Sequence, residues 1–221
     1  MKELFHVELY LDSSYALDEQ KAFIFKSRCI CNYLERGLET LKFKSPFSRL
    51  NIHCSKTSDK NGVRPLEHEA FLEAHILYDV QHLNSSDEKL LQCEFANIIL
   101  SGLGAAQKFT SMPVEECRLR LDAFKNEGFV NRWVQVDKYW KKWDCRCVIE
   151  AEITTTHFIL TEFVHVGGRL VASLEIAKTK PREMLFEEYL GSASMSSSGI
   201  LSYKAGGAVR TVFSVEETQF V

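Results

Sequence analysis

The chain has 221 residues, 45% of them hydrophobic and 26% charged, which is the balance of a folded globular protein and excludes a disordered or fibrous one. Its 27 basic and 30 acidic residues are dispersed and give a net charge of −3, so a surface that holds nucleic acid by neutralising phosphates is not expected.

The stretch from Leu4 to Asp12 alternates Phe5, Val7, Leu9 and Leu11 with a second, more polar set, the period-two pattern of a strand. The N-terminus, Met1 to Glu8, interleaves acids with apolar residues and lacks the basic-then-hydrophobic order of a signal peptide, and the expected location is the cytoplasm. From Asp18 the period changes: Phe23, Ile30, Leu34, Leu38 and Leu41 fall at helical spacing, with Asp18 and Glu19 where a helix N-terminus favours negative charge. Pro46 ends this helix, Leu50 to Cys54 reads as a strand, Ser55 to Gly62 as a loop, and Ala70 to Tyr78 as another strand.

Ser85-Ser86-Asp87-Glu88 has the spacing of a capping box, and Leu91, Phe95, Ile98, Gly102, Ala105 and Phe109 behind it make a helical stripe. Pro113 opens a third helix, with Val114, Cys117, Leu121 and Phe124 on one side and Gly128 as its C-terminal cap. In the segment 129–143, Trp133, Val136, Trp140 and Trp143 follow helical spacing and favour a core-facing amphipathic element with a lysine-rich outer side, although a strand is also compatible.

The composition then shifts to Val, Ile, Thr and Phe. Three antiparallel strands are expected between Asp144 and Lys178, with turns at Thr154 to Thr156 and at Gly167-Gly168. A short helix at Arg182 to Tyr189, a serine-rich loop from Gly191 to Gly199, and a hairpin across Gly206-Gly207 into Val209 to Val215 follow. Helices gather early and strands late, the order of an α+β protein. The expectation is one domain, residues 1–221, helix-rich over 1–127 and strand-rich over 128–221. Its helices would pack on a largely antiparallel sheet that includes a meander at about 144–178.

A two-residue turn at Gly167-Gly168 pairs Val166 with Arg169, Val164 with Val171, Glu162 with Ser173 and Leu160 with Glu175. A turn centred on Thr154 to Thr156 sets Cys145, Cys147, Ile149, Ala151 and Ile153 beside His165, Phe163, Thr161, Ile159 and His157 on the core side. The other side then collects Arg146, Glu150, Glu152, Glu162, Arg169 and Glu175 among Val148, Phe158, Leu160, Val164 and Val171, a face that is acidic with apolar patches.

The remaining signals are mostly negative. Seven cysteines, an odd number without an export signal, indicate reduced and mostly buried thiols. Phe95 to Gln107 is the longest nearly uncharged stretch and falls short of the ~20 apolar residues of a membrane-spanning helix. Cys145-x-Cys147 with His165 opposite would supply three soft or borderline ligands but no fourth, so neither metal nor cofactor is expected. No nucleophile elbow, phosphate-cradling glycine loop or zinc-protease helix occurs, and Gly102 and Gly104 fit close helix packing better than catalysis.

What is left is a non-catalytic protein that binds another protein, most concretely an inhibitor or immunity protein that occludes a bacterial toxin whose own active site is basic. Its contacts would be Glu150, Glu152, Glu162, Glu175, Phe158, Leu160, Trp140 and Trp143, with no nucleic acid or membrane as partner. The alternative is a small-molecule enzyme or ligand-binding domain with a pocket near His157, His165 and Cys145.

Overall fold

A computed structural model describes residues 6–57, 62–66 and 70–215 and has an α+β fold that divides into two compact units, residues 1–131 and 132–221. The first unit holds β1 (His6–Leu11), α1 (Leu17–Thr40), β2 (Arg49–Ser55), β3 (Gly62–Leu66), β4 (Phe71–Leu77), α2 (Glu88–Ala106) and α3 (Val114–Asn126). Its sheet has the order β1-β2-β4-β3. Where a largely antiparallel sheet was expected beneath the helices, this one is mixed: β1, β2 and β4 run parallel, and only β3 is antiparallel to its neighbour. Parallel neighbours need a long crossover, which α1 supplies between β1 and β2.

One face of this sheet is apolar at every second position. Val7, Leu9 and Leu11 of β1, Leu50, Ile52 and Cys54 of β2, and Leu72 and Ala74 of β4 are buried, together with Phe23, Ile30, Leu34 and Leu38 of α1. The stripe read in α2 is buried from Leu91 through Phe95 and Ile98 to Gly102, whereas Phe109 lies past the helix end and is exposed. Gly102 is required by contact: a Cβ there would sit 2.3 Å from Ile52 Cδ1. The capping box at Ser85 is displaced. Asp87 is the N-cap and accepts from the amides of Lys89 and Leu90, while Ser85 Oγ accepts from the Asp87 amide.

The outer edge of β1 is closed by side chains of α1. Glu35 accepts from the Val7 amide at 2.8 Å, and Arg28 donates to the Val7 carbonyl at 3.0 Å and to Glu35 at 2.8 Å. Half of the loop expected at Ser55 to Gly62 (58–61) and the start of the first strand at Leu4 and Phe5 lie outside the described residues.

The second unit contains β5 (Asn131–Trp140), which begins at the last residue of the first unit, β6 (Cys145–Ile153), β7 (Phe158–Val166) and β8 (Arg169–Thr179), then α4 (Glu183–Phe186), β9 (Gly191–Met195), β10 (Ile200–Ala205) and β11 (Ala208–Ser214). They form two sheets, β5-β6-β7-β8 and β9-β10-β11. The segment 129–143 is therefore a strand, closed by a turn of 3-10 helix at Lys141–Trp143, and not an amphipathic helix. Its Trp, Val and Tyr content suits a pleated surface, and the tryptophan spacing that mimics a helix places Trp133 against Phe158.

The serine-rich segment is likewise half strand. Residues 191–195 pair with β10, setting Ala193 opposite Tyr203, and the turn that follows needs Gly199, where a Cβ would meet the Trp143 ring at 2.9 Å. The core of this unit comprises Cys145, Cys147, Ile149, Ala151, Phe158, Leu160, Val164, Phe186, Leu201 and Tyr203. All seven cysteines are free, and six are buried. Among the described residues no helix is long and apolar enough to cross a membrane.

Candidate functional site

The β6-β7 turn decides which residues share a face. Ile153 pairs with Phe158, leaving a four-residue turn in which Thr154 Oγ1 accepts from the amides of Thr156 and His157. This register is one residue away from the one expected, and a one-residue slip moves every side chain of β7 to the opposite face. Cys145, Cys147, Ile149, Ala151 and Ile153 consequently face Val166, Val164, Glu162, Leu160 and Phe158. The β7-β8 hairpin starts as expected, with Val166 opposite Arg169, but bulges at Val171 and Ile176 shift the rest: Val164 meets Ala172, Glu162 meets Leu174 and Leu160 meets Ala177.

The eight residues expected to contact a partner are thereby distributed over several environments. Phe158, Leu160 and Glu162 are buried on the inner face. Glu150 and Glu152 are half-exposed on the outer face, and Glu175 is exposed on β8 opposite Thr161. Trp140 and Trp143 line an open depression of about 500 Å³ with Lys141, Lys142, Met195 and Ser196, where the Lys142 ammonium lies 4.5 Å from the Trp143 ring centre.

The outer face of β5 to β8 mixes apolar groups with ion pairs. Arg132 bonds Glu152 at 2.7 Å and Arg146 bonds Asp137 at 2.6 Å. The Asp137–Arg146 pair borders an open depression of about 360 Å³ that is also lined by Val134, Val148, Phe163, Glu150 and His165. Val134 is 53% exposed, Leu170 55% and Tyr139 58%, so this face carries more apolar surface than a merely wet sheet needs.

Cys145 and His165, proposed partners in a pocket, point to opposite faces, because Cys145 pairs with Val166 and His165 with Arg146. His157 sits exposed in the β6-β7 turn. His165 lines both the larger depression and a smaller one of about 160 Å³, and its Nδ1 is buried without a hydrogen-bond partner. On the inner face the Cys147 thiol donates to Glu162 at 3.5 Å, and burial first, then the carboxylate, push this thiol far above its usual range. It is a packed thiol and a poor nucleophile.

A second polar constellation, which the sequence reading missed, occupies the face of the first sheet opposite its apolar side. Tyr10, His53 and His75 stack across β1, β2 and β4, with ring centres 5.1 and 4.8 Å apart. Glu73, two residues before His75 and so on the same face, places Oε1 3.8 Å from His53 Nε2 and Oε2 3.4 Å from His75 Nε2. Arg64 of β3, opposite Glu73 in register, donates to Oε2 at 3.1 and 2.8 Å. Arg64 and His75 hold the Glu73 carboxyl below its usual range even though burial alone would raise it. The available signal was Glu73-Ala74-His75, two metal-competent side chains at strand spacing.

Fold and surfaces together define an α+β protein with a closed apolar core in each unit and two polar sheet faces. No family model, curated protein or solved structure matches the chain, and its own geometry carries the functional reading.

Proposed function

We propose that this protein is a non-catalytic, cytoplasmic binding protein that occludes a protein partner, in the manner of an inhibitor or immunity protein that neutralises a bacterial toxin. The observation that carries the reading is the outer face of β5 to β8, where half-exposed Val148 and Phe163 and exposed Val134 surround an open depression bordered by the Asp137–Arg146 ion pair, with the Arg132–Glu152 pair on the same face. An apolar centre within a charged rim is the arrangement of protein-protein interfaces. Exposed ion pairs contribute only about 0–1 kcal/mol, so Glu152 and Asp137 can be re-partnered by the basic groups of a toxin at little cost. Glu150 beside them, and Trp140 and Trp143 at the end of β5, extend the same contact region.

The test is affinity capture with the full chain followed by titration of the captured protein against the variant Phe163→Asp/Glu150→Lys, both positions being on the outer face. A single stoichiometric partner whose affinity falls by at least about tenfold, 1.4 kcal/mol, in the folded variant is expected. No stoichiometric partner, or one bound equally by the variant, overturns the reading.

A second reading, a small-molecule enzyme or ligand-binding domain, draws on His165, whose unpartnered Nδ1 borders two depressions. A metabolite that raises the Tm of the wild type but not of His165→Ala would favour it.

A further inference from the structure

We infer that His53, Glu73 and His75 form a binding site for a divalent transition-metal ion of the Zn²⁺ class. The inference is independent of the partner-binding reading and concerns only residues of the first unit. Parallel, in-register pairing of β2 and β4 sets His53 directly opposite His75, and the period of two in β4 adds Glu73 to the same face. One ligand atom from each side chain lies within 4.8 Å of the other two, and among the described residues this is the cluster able to hold an ion.

A tetrahedral Zn²⁺ ion takes nitrogen and oxygen ligands at about 2.0–2.2 Å, which puts neighbouring donors about 3.3–3.6 Å apart. The two histidine-to-glutamate separations, 3.4 Å from His75 Nε2 to Oε2 and 3.8 Å from His53 Nε2 to Oε1, are near that value but fall on different oxygens of Glu73, so the ion is held by both oxygens or by one of them after the carboxylate turns. Small side-chain rotations close the remainder.

Two independent observations point the same way. His53 Nε2 is buried and has no hydrogen-bond partner, and Asn51 Oδ1, on the residue paired with Glu73, is also buried and unpartnered. Buried polar atoms are rarely left so, and an ion with its water supplies what both lack.

Arg64 engages Oε2 of Glu73, orienting the carboxylate, the role that outer partners play in metal sites. Two imidazoles and one carboxylate select zinc, iron or manganese over calcium or magnesium. Three protein ligands leave a coordination position for water, as in sites that exchange a ligand.

The experiment is calorimetric titration of Zn²⁺ into the full chain after chelator dialysis, with histidine side-chain NMR and Co²⁺ absorption as parallel readouts. Expected are one equivalent of Zn²⁺, selective shifts of the His53 and His75 rings, and a Co²⁺ spectrum without a thiolate charge-transfer band. His53→Ala, His75→Ala and Glu73→Gln should each weaken binding on the order of 100-fold or more, Arg64→Gln by about 10–100-fold, and Cys93→Ser not at all. Absence of saturable binding, shifts confined to other histidines, a thiolate band, or full affinity in folded His53→Ala/His75→Ala overturns the inference. The ring shifts and the cobalt spectrum decide it on the wild type even where a variant unfolds.

Discussion

Glu35 shows how one side chain ties a helix to a sheet edge. Folding removes its carboxylate from water, which alone would raise its pKa, but the Arg28 guanidinium and then His6 outweigh burial and hold it below the usual range. His6 is raised in turn, first by its bond to Glu35. The two shifts act on opposite limbs of the stability profile. The Glu35 contribution is complete above its ordinary value of 4.5 and is lost as pH falls through the depressed folded value. That of His6 is complete below 6.5 and is lost as pH rises through the raised folded value. Urea unfolding across the acid-to-neutral range should therefore show both limbs in the wild type and neither in Glu35→Gln, and an unchanged profile in that variant would refute the assignment. Arg28→Met, which strands the buried carboxylate, should cost about 3–5 kcal/mol in the same measurement.

Among the elements, α2 offers the sharpest contrast between neighbouring positions of one type. Gly102 packs on Ile52, while a Cβ at Gly104 would meet nothing within 4 Å. Gly102→Ala should destabilise by about 1–3 kcal/mol through overpacking, and Gly104→Ala should stabilise by roughly 0.8–1 kcal/mol through helix propensity. Thermal unfolding of the pair checks this, and equal effects would contradict the close approach of α2 to β2. The helices were legible in the sequence because their apolar stripes repeat over several turns and survive a local misreading. The strand at residues 131–140 was not, since its tryptophans coincide with helical spacing and only pairing with β6 selects the extended form. The register of β6 and β7 hung on whether the turn held three or four residues, which Thr154 decides through its hydroxyl. That single step moved Glu162 inside and His165 outside. The His53, Glu73 and His75 cluster required knowing that β2 and β4 are adjacent, and nothing local to either strand says so.

At the scale of the whole chain, Asn131 marks where the first unit ends and β5 begins. Asn131 is buried, donates to the Cys29 carbonyl at 2.7 Å and accepts from Arg36. A chain that folds as one domain unfolds in a single cooperative transition, and the placement of its chromophores allows the test. All three tryptophans lie in residues 132–221, whereas α1, α2 and α3 lie in residues 1–131. Tryptophan fluorescence and the far-UV helix signal should lose their native values at the same denaturant concentration, and separated midpoints would mean two domains. The sheet borders bear on recognition as well. The β1 border is occupied by Arg28 and Glu35, β3 is short and carries Pro65, and β8 is broken by two bulges. None of these three can template an added strand, so a ligand protein gains no main-chain ladder from them. Recognition along these three borders must then be written in side chains, which makes it open to being re-specified by point substitution, and a linear peptide cut from a partner that meets only these borders should fail to compete with the folded partner itself.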